Sequence, residues 1–432
     1  MNKFLEVKEF DIITGNPNFK NDEKYKYLDT VAFENLIEFI HQFTGNEEVA
    51  DVLDFMRISY KRNIGNIVSI KNYVGLIQMK NGYQIQILPK ISFTNSEDSE
   101  NRNTKKIFLN MLRSMRDFPS KVFNNSNIQV DRMNLYEIFI NMYLQEIRRL
   151  IKIGLKSDYI FKEDNLNYYK GKLLTSQHFK INLVHKERFY VAYDEFNPNR
   201  VENKLIKATL FKLQKLTTSA ENSKKIRQLL VFFEMIDISM NYTADFSKVR
   251  INRSNRDYEM IMQWSKVFLL NKSFTTFSGN NNSRALLFPM EKVYESYVAK
   301  HLKKILGEDG WNVSSQDRGY YLFTEPRLQF ALIPDIVCKR GERTIIMDTK
   351  WKKLVNNERI NYGISQSDMY QMYAYSKKYK ASEIWLLYPL NDEMKEHSEI
   401  SFNSGDGTTV NIYFVDLENI QSSLEVLRDK IK

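Results

Sequence analysis

The chain has 432 residues, 43% hydrophobic and 27% charged, with only 15 Gly and 8 Pro, a composition that excludes a disordered or fibrous protein. At about 100 to 200 residues per domain, this length predicts roughly two to four domains. The excess of 63 Lys and Arg over 53 Asp and Glu, a net charge of +10, favours an anionic partner, nucleic acid first, over a merely solvated basic surface.

The predicted elements begin with a small β-rich domain over residues 1–91, containing a helical pattern at 33–43 and short strand-like runs at 66–71, 75–80 and 83–88. Asn81-Gly82 gives the best hairpin signal, because both residues tolerate the positive φ of a tight turn. Residues 92–106 (SFTNSEDSENRNTKK) are polar and predict a loop or linker. A mainly helical region is expected over 107–277, with helical spacing at Leu135–Ile153, 203–216, 226–240 and 258–270, and one β-like passage at 180–193. The polar stretch 278–283 marks a second boundary. From 283 to 432, helix, strands, helix and strands follow in the order of an α/β domain with a mixed central sheet, so the fold class is a multidomain α+β chain. No run of about 18 apolar residues occurs, and residues 1–14 mix charges with apolar residues, so no membrane association and a cytoplasmic location are expected.

One cysteine, Cys338, excludes an internal disulfide, and His41, His178, His185, His301 and His397 lie too far apart to suggest a zinc site. Any metal must therefore be held by oxygen. The suitable residues lie in two strand-like segments, 332–337 (LIPDIV) with Pro334-Asp335 and 344–350 (TIIMDTK), joined by a turn at 339–342 (KRGE). Side chains alternate along a strand, so Asp348 and Lys350 share a face and Thr349 points away. Two carboxylates and a backbone carbonyl, that of Thr349, suit Mg²⁺, while Lys350 would position the attacking water and offset developing charge. The amphipathic helix 289–306 carries Glu291 in its first turn, where it answers the helix dipole, and Glu295 beside the apolar face as the candidate third acidic ligand. A second helix, 365–379, places Asp368, Gln371 and Tyr375 on one face and leads to the apolar run 383–388, a βαβ pattern. Gln371 and Tyr375 would hold a phosphate or the water, or simply line a core.

The order Glu295, Pro334-Asp335, Asp348-Thr349-Lys350, Gln371-X-X-X-Tyr375 resembles the PD-(D/E)XK nuclease superfamily in its branch with a helical Gln-X-X-X-Tyr motif. Over residues 60–390 the chain resembles the McrC family, the nuclease subunits of McrBC-type, modification-dependent restriction systems; 73–78 (YVGLIQ), 85–91 (IQILPKI), 109–112, 169–173 (YKGKL) and 194–203 (DEFNPNRVEN) add to the match. The resemblance implies a metal-dependent DNA endonuclease using Mg²⁺ or Mn²⁺. Its catalytic residues are Asp335, Asp348, Lys350, Glu295, Gln371 and Tyr375, with metal ligands from Asp335, Asp348, Glu295 and Thr349. It further implies double-stranded DNA as substrate and an McrB-like AAA+ GTPase partner that binds the GTP, recognises and translocates DNA, and is stimulated by this subunit, with the helical 107–277 as the partner-binding region. In agreement, no G-x-x-x-x-G-K-[ST] loop is present. A free-standing repair or recombination nuclease and an inactive assembly subunit remain alternatives. Arg250, Arg253 and Arg256 could meet partner or DNA phosphate, or form a solvated helix start; Arg253, Asn255 and Tyr258 resemble a family pattern without an assigned role.

Overall fold

A computed structural model describes residues 4–44, 55–79, 82–91, 97–115, 118, 134–270, 284–381, 383–395 and 400–431. It is a mixed α+β, multidomain chain of two compact units, Met1–Phe118 with Thr275–Lys432, and Pro119–Phe274. The segments expected at 1–91 and 283–432 thus lie in one unit. They share a sheet, because strand Arg284–Pro289 pairs antiparallel with Tyr73–Gln78, which in turn pairs with Gln84–Leu88. Gly75 permits this pairing: its φ is +141°, and a Cβ there would lie 1.9 Å from Leu286 O. A second small sheet orders Tyr25–Tyr27, Ile12–Thr14, Gly65–Ile70 and Met56–Lys61, and helix Thr30–Thr44 adds Phe33, Leu36 and Phe39 to the shared apolar core of Val7, Ile13, Val68, Ile77 and Ile85.

The same unit contains a six-stranded sheet in the order Asn312–Ser315, Ile336–Arg340, Arg343–Thr349, Glu383–Pro389, Thr409–Val415 and Ile400–Asn403. Its three central strands, from Arg343–Thr349 to Thr409–Val415, run parallel, and the outer pairings are antiparallel. Buried on both faces, the central strands are almost continuously apolar. Helix Gln366–Tyr379, capped by Ser365 Oγ accepting from Asp368 N, connects two parallel strands and packs Met372, Tyr375 and Tyr379 into the sheet core. Helix Met290–Glu308 buries Val293, Tyr294, Val298, Leu302 and Ile305.

The second unit holds helices Leu135–Ile153, Val201–Leu216, Ala220–Leu230, Tyr242–Lys248 and Glu259–Leu270 around Phe139, Tyr143, Leu205 and Trp264. It also carries a three-stranded antiparallel sheet, Asp158–Leu166, Phe189–Asn197 and Lys172–Leu173.

Several local expectations are corrected. The predicted linker 92–106 is helical from Glu97, because the helix Glu97–Leu112 is anchored by its last turns, where Phe108, Leu109, Met111 and Leu112 are buried. The helix expected over 226–240 begins at Ala220, behind an Ser219 cap, and ends at Leu230. The β-like passage 180–193 starts in a short helix, Thr175–Ile181, before the strand Phe189–Asn197. Residues 332–337 are not one strand: Pro334 has no N–H to donate, and the chain passes from Gln329–Leu332, paired with Tyr320–Phe323, to Ile336–Arg340 in the larger sheet. Residues 80–81 of the expected hairpin, the boundary 278–283 and His397 lie outside the described residues. No helix among the described residues is long and apolar enough to cross a membrane.

Candidate active site

The break at Pro334 sets Asp335 just before strand Ile336–Arg340, whose first residue is paired with Met347. That register brings the Asp335 carboxylate to the end of Arg343–Thr349, where Oδ2 accepts from Thr349 N at 2.8 Å and Thr349 Oγ1 at 2.6 Å. The Thr349 side chain therefore does not point away from the acidic pair, as strict alternation predicts, but holds one of its members. Alternation ends at this residue because the strand ends here. Lys350, beyond it, keeps one sheet bond, donating its N–H to Leu387 O at 3.0 Å.

Asp348 is only 2% exposed, and its Oδ2 lies 2.6 Å from Lys350 Nζ. Helix Gln366–Tyr379 supplies the neighbours on the other side: Asp368 Oδ1 is 3.9 Å from the same ammonium and Gln371 Oε1 is 3.5 Å from it. Gln371 Nε2 donates to Tyr375 OH at 2.7 Å, and that hydroxyl donates to Ile333 O at 3.1 Å. One helical turn thus links Lys350 to the backbone just before Asp335, and the buried Tyr375 is both a core ring and part of this relay. From the opposite direction, Glu295 Oε1 accepts from Gln316 Nε2 at 2.6 Å, and Gln316 N donates to Asp335 O at 3.0 Å. Glu291, one turn earlier, is exposed and accepts from Asn72 Nδ2 at 3.2 Å.

The electrostatics follow from this crowding. Burial pushes Asp348 up to about 7, and the Asp335 charge adds to it despite the adjacent ammonium. Glu295 rises to about 7 through burial and then the Asp335 charge, and Asp335 itself is raised by burial against the two Thr349 hydrogen bonds. Burial opposes charge on Lys350, yet the Asp348, Asp368 and Asp335 carboxylates outweigh it and raise its affinity for the proton. Three carboxyl groups withdrawn from water, two of them raised further by a neighbouring negative charge, form an environment that a hard divalent cation relieves, and all their donor atoms are oxygen. Among the described residues no three His, Cys, Asp or Glu side chains are gathered as a ready-made metal cage.

Local spacing did not reveal Gln316, or Glu9 and Trp351. Glu9, fully buried, accepts from Trp351 Nε1 at 3.0 and 3.2 Å and from Lys90 N at 3.1 Å, and burial raises it to about 8. It anchors the residue that follows Lys350; the only signal in the sequence was an indole directly after the Asp-X-Lys motif. In the second unit, Asn255 donates to Glu202 Oε1 at 3.2 Å and to Arg250 O at 2.9 Å, and Tyr258 OH donates to Asn203 Oδ1 at 2.9 Å and accepts from Lys156 N at 2.9 Å. The 250–258 stretch therefore has a structural part, Asn255 and Tyr258, tied to Glu202 and Asn203 of the 194–203 motif, while Arg253 is exposed.

The sequence matches the family described as McrBC 5-methylcytosine restriction system component over residues 68–389. The chain belongs to the McrBC family. No curated protein matches this McrBC-family chain. Its fold is similar to a chain of the refined half-complex from the tetradecameric assembly of Thermococcus gammatolerans McrB AAA+ hexamers with bound McrC, with a TM-score of 0.71 and 20% identity, covering 98% of this chain and 100% of that one. It is also similar to a chain of the cryo-EM structure of the Thermococcus gammatolerans McrBC complex, with a TM-score of 0.51 and 19% identity, covering 70% and 88%.

Proposed function

We propose that this chain is the DNA-cleaving subunit of a GTP-dependent McrBC-type restriction complex, a PD-(D/E)XK endonuclease that hydrolyses phosphodiester bonds with Mg²⁺ or Mn²⁺. The observation that carries the reading is the meeting of Asp335, Asp348 and Lys350 at one strand end, with Glu295 close enough for the Asp335 charge to raise it. Asp335, Asp348 and Glu295, with the Thr349 carbonyl, would hold the cation. When bound, such an ion polarises a phosphoryl oxygen and increases the acidity of water. Lys350 would orient the attacking water and stabilise charge that develops on the phosphate. Gln371 and Tyr375 keep the Lys350 side chain aimed at the carboxylates, and Thr349 fixes one oxygen of Asp335.

The similar assembly holds McrC on McrB AAA+ hexamers, which supports an AAA+ partner for this chain; that partner would be a GTPase that binds the GTP, selects and moves along double-stranded DNA, and is stimulated by this chain. The absence of a phosphate-binding loop here supports that division of labour. The test mixes the full-length chain with its McrB-like partner, GTP, Mg²⁺ and methylated or unmethylated plasmid. Cleavage that requires chain, partner, GTP and metal together is expected. Intact plasmid under all conditions, or cleavage undiminished by chelator, refutes the reading.

A further inference from the structure

The chain segment that directly follows Lys350 borders a cavity of about 200 Å³ that no step above uses. Phe10 and Lys90 line it from the N-terminal segment, Trp351, Lys352 and Lys353 from the chain directly after Lys350, and Asn391 from beyond strand Glu383–Pro389. The last four residues follow the carboxyl ends of two adjacent parallel strands, the sheet end at which open α/β folds bind ligands. Three lysines and no carboxylate line the cavity. The wall is fixed from behind, because Glu9 ties Trp351 Nε1 and Lys90 N to one buried carboxyl group, and Trp351 packs on Tyr294 with ring centroids 5.4 Å apart.

The polar chemistry of the cavity suits a phosphate. Lysine ammonium groups are compact point charges without the fixed planar fork of donors that a guanidinium presents, so they favour a phosphate without imposing a base pattern. The amide of Asn391 is already committed, donating to Leu354 O at 3.1 Å and accepting from Glu393 N at 3.0 Å. Lys352 Nζ donates to Gly363 O at 2.6 Å and Lys353 Nζ lies 2.9 Å from Glu393 Oε1, but the Lys353 side chain is 46% exposed and so free to exchange a surface carboxylate for a stronger anion. We propose that this cavity seats a backbone phosphate of the DNA strand whose neighbouring phosphodiester lies at Asp335 and Asp348, with Lys90 and Lys353 supplying the charge. The contact is independent of sequence, and it rests on the reading of the chain as a DNA-cleaving subunit.

The test measures anisotropy of a labelled duplex bound to the full-length chain, in chelator so that nothing is cut, across a salt series. Lys90 and Lys353 are exposed, so Lys90→Ala/Lys353→Ala leaves the core intact. The double variant is expected to lose roughly tenfold in affinity and to flatten the slope of log K against log salt by about 0.9, the signature of one phosphate contact. Lys26→Ala, at an exposed lysine of another sheet, is expected to change neither. Unchanged slope and affinity in the double variant, or no duplex binding by the wild type, overturns the proposal. If millimolar inorganic phosphate raises the melting temperature of the wild type alone while the duplex slope is unaltered, the cavity takes a free anion and the proposal also falls. Cleavage with partner, GTP and Mg²⁺ is scored separately. A wild type that cuts while its double variant binds normally refutes only the cavity; a wild type that binds through these lysines and never cuts refutes only the nuclease reading.

Discussion

Glu137 in the second unit and Asp348 in the first are both almost wholly withdrawn from water, at 4% and 2% exposure, yet their surroundings are opposite in kind. Glu137 accepts from Thr217 Oγ1 at 2.6 Å, from Thr218 N at 2.6 Å and Oγ1 at 3.1 Å, and from Asn222 Nδ2 at 2.7 Å. All are neutral donors, and they tie residues 217–218 and helix Ala220–Leu230 to one side chain. Asp348 has the Lys350 ammonium, and its other close electrostatic neighbours, Asp335 and Asp368, are acidic. A carboxylate that serves the fold is satisfied by it, whereas one left among like charges stores a demand that an external cation can meet.

The sharpest way to break the comparison is Asp348→Ala. Cleavage with partner, GTP and Mg²⁺ should fall by about a thousandfold or more while the melting temperature holds or rises, since a crowded buried charge has been removed. Cutting at the wild-type rate would place the chemistry elsewhere. Glu137→Ala should show the reverse, costing about 2 to 3 kcal/mol in urea denaturation by orphaning Thr218 N and Asn222, with cleavage at permissive temperature retained. A neutral outcome would mean those donors find other partners. Glu295→Gln should lower cleavage by about tenfold to a hundredfold and raise the Mg²⁺ concentration required, whereas the exposed Glu291→Gln should change stability by no more than about half a kcal/mol. Equal rates for the two variants would remove Glu295 from the site.

Glu9 sharpens the comparison from a third side, as a buried acid with three donor contacts and an affinity for the proton still raised to about 8 by burial. Its proton is bound more tightly folded than unfolded. Its stabilising contribution is therefore complete below about pH 4.5 and is lost as pH rises through about 8. The stability difference between wild type and Glu9→Gln, followed by thermal melts from pH 5 to pH 9, should accordingly tilt against the wild type at the alkaline end. A constant difference would show that Glu9 is ionised throughout.

Local patterns in the sequence carried the site's strand and helix residues. Asp348 and Lys350 were legible because they are two apart at the end of an apolar strand-like run, and Gln371 and Tyr375 because they are four apart on a helix; the helix Leu135–Ile153 was legible from its periodicity to the residue. Thr349 was misread at the one place where the strand stops. Gln316 reaches Glu295 across 21 residues, and Trp351 reaches Glu9 across 342, distances at which no periodicity operates. The sheet strand Asp158–Leu166 was missed because most of its side chains are exposed, so FKEDNL shows no alternation to read. The sharing of a sheet by residues 73–78 and 284–289 left no mark in composition at either segment.

That shared sheet sets an order of events during synthesis. Tyr73–Gln78 is an inner strand only once Arg284–Pro289 has arrived, and Leu76 must wait for Leu286 while the whole of Pro119–Phe274 leaves the ribosome. At about 5 to 20 residues per second the nascent chain spends roughly ten to forty seconds with that edge bare. For this interval YVGLIQ, all six residues buried in the finished sheet, is an apolar template open to any passing strand. The intervening unit can close on itself before Arg284–Pro289 arrives, so Tyr73–Gln78, although made early, is among the last stretches to be secured.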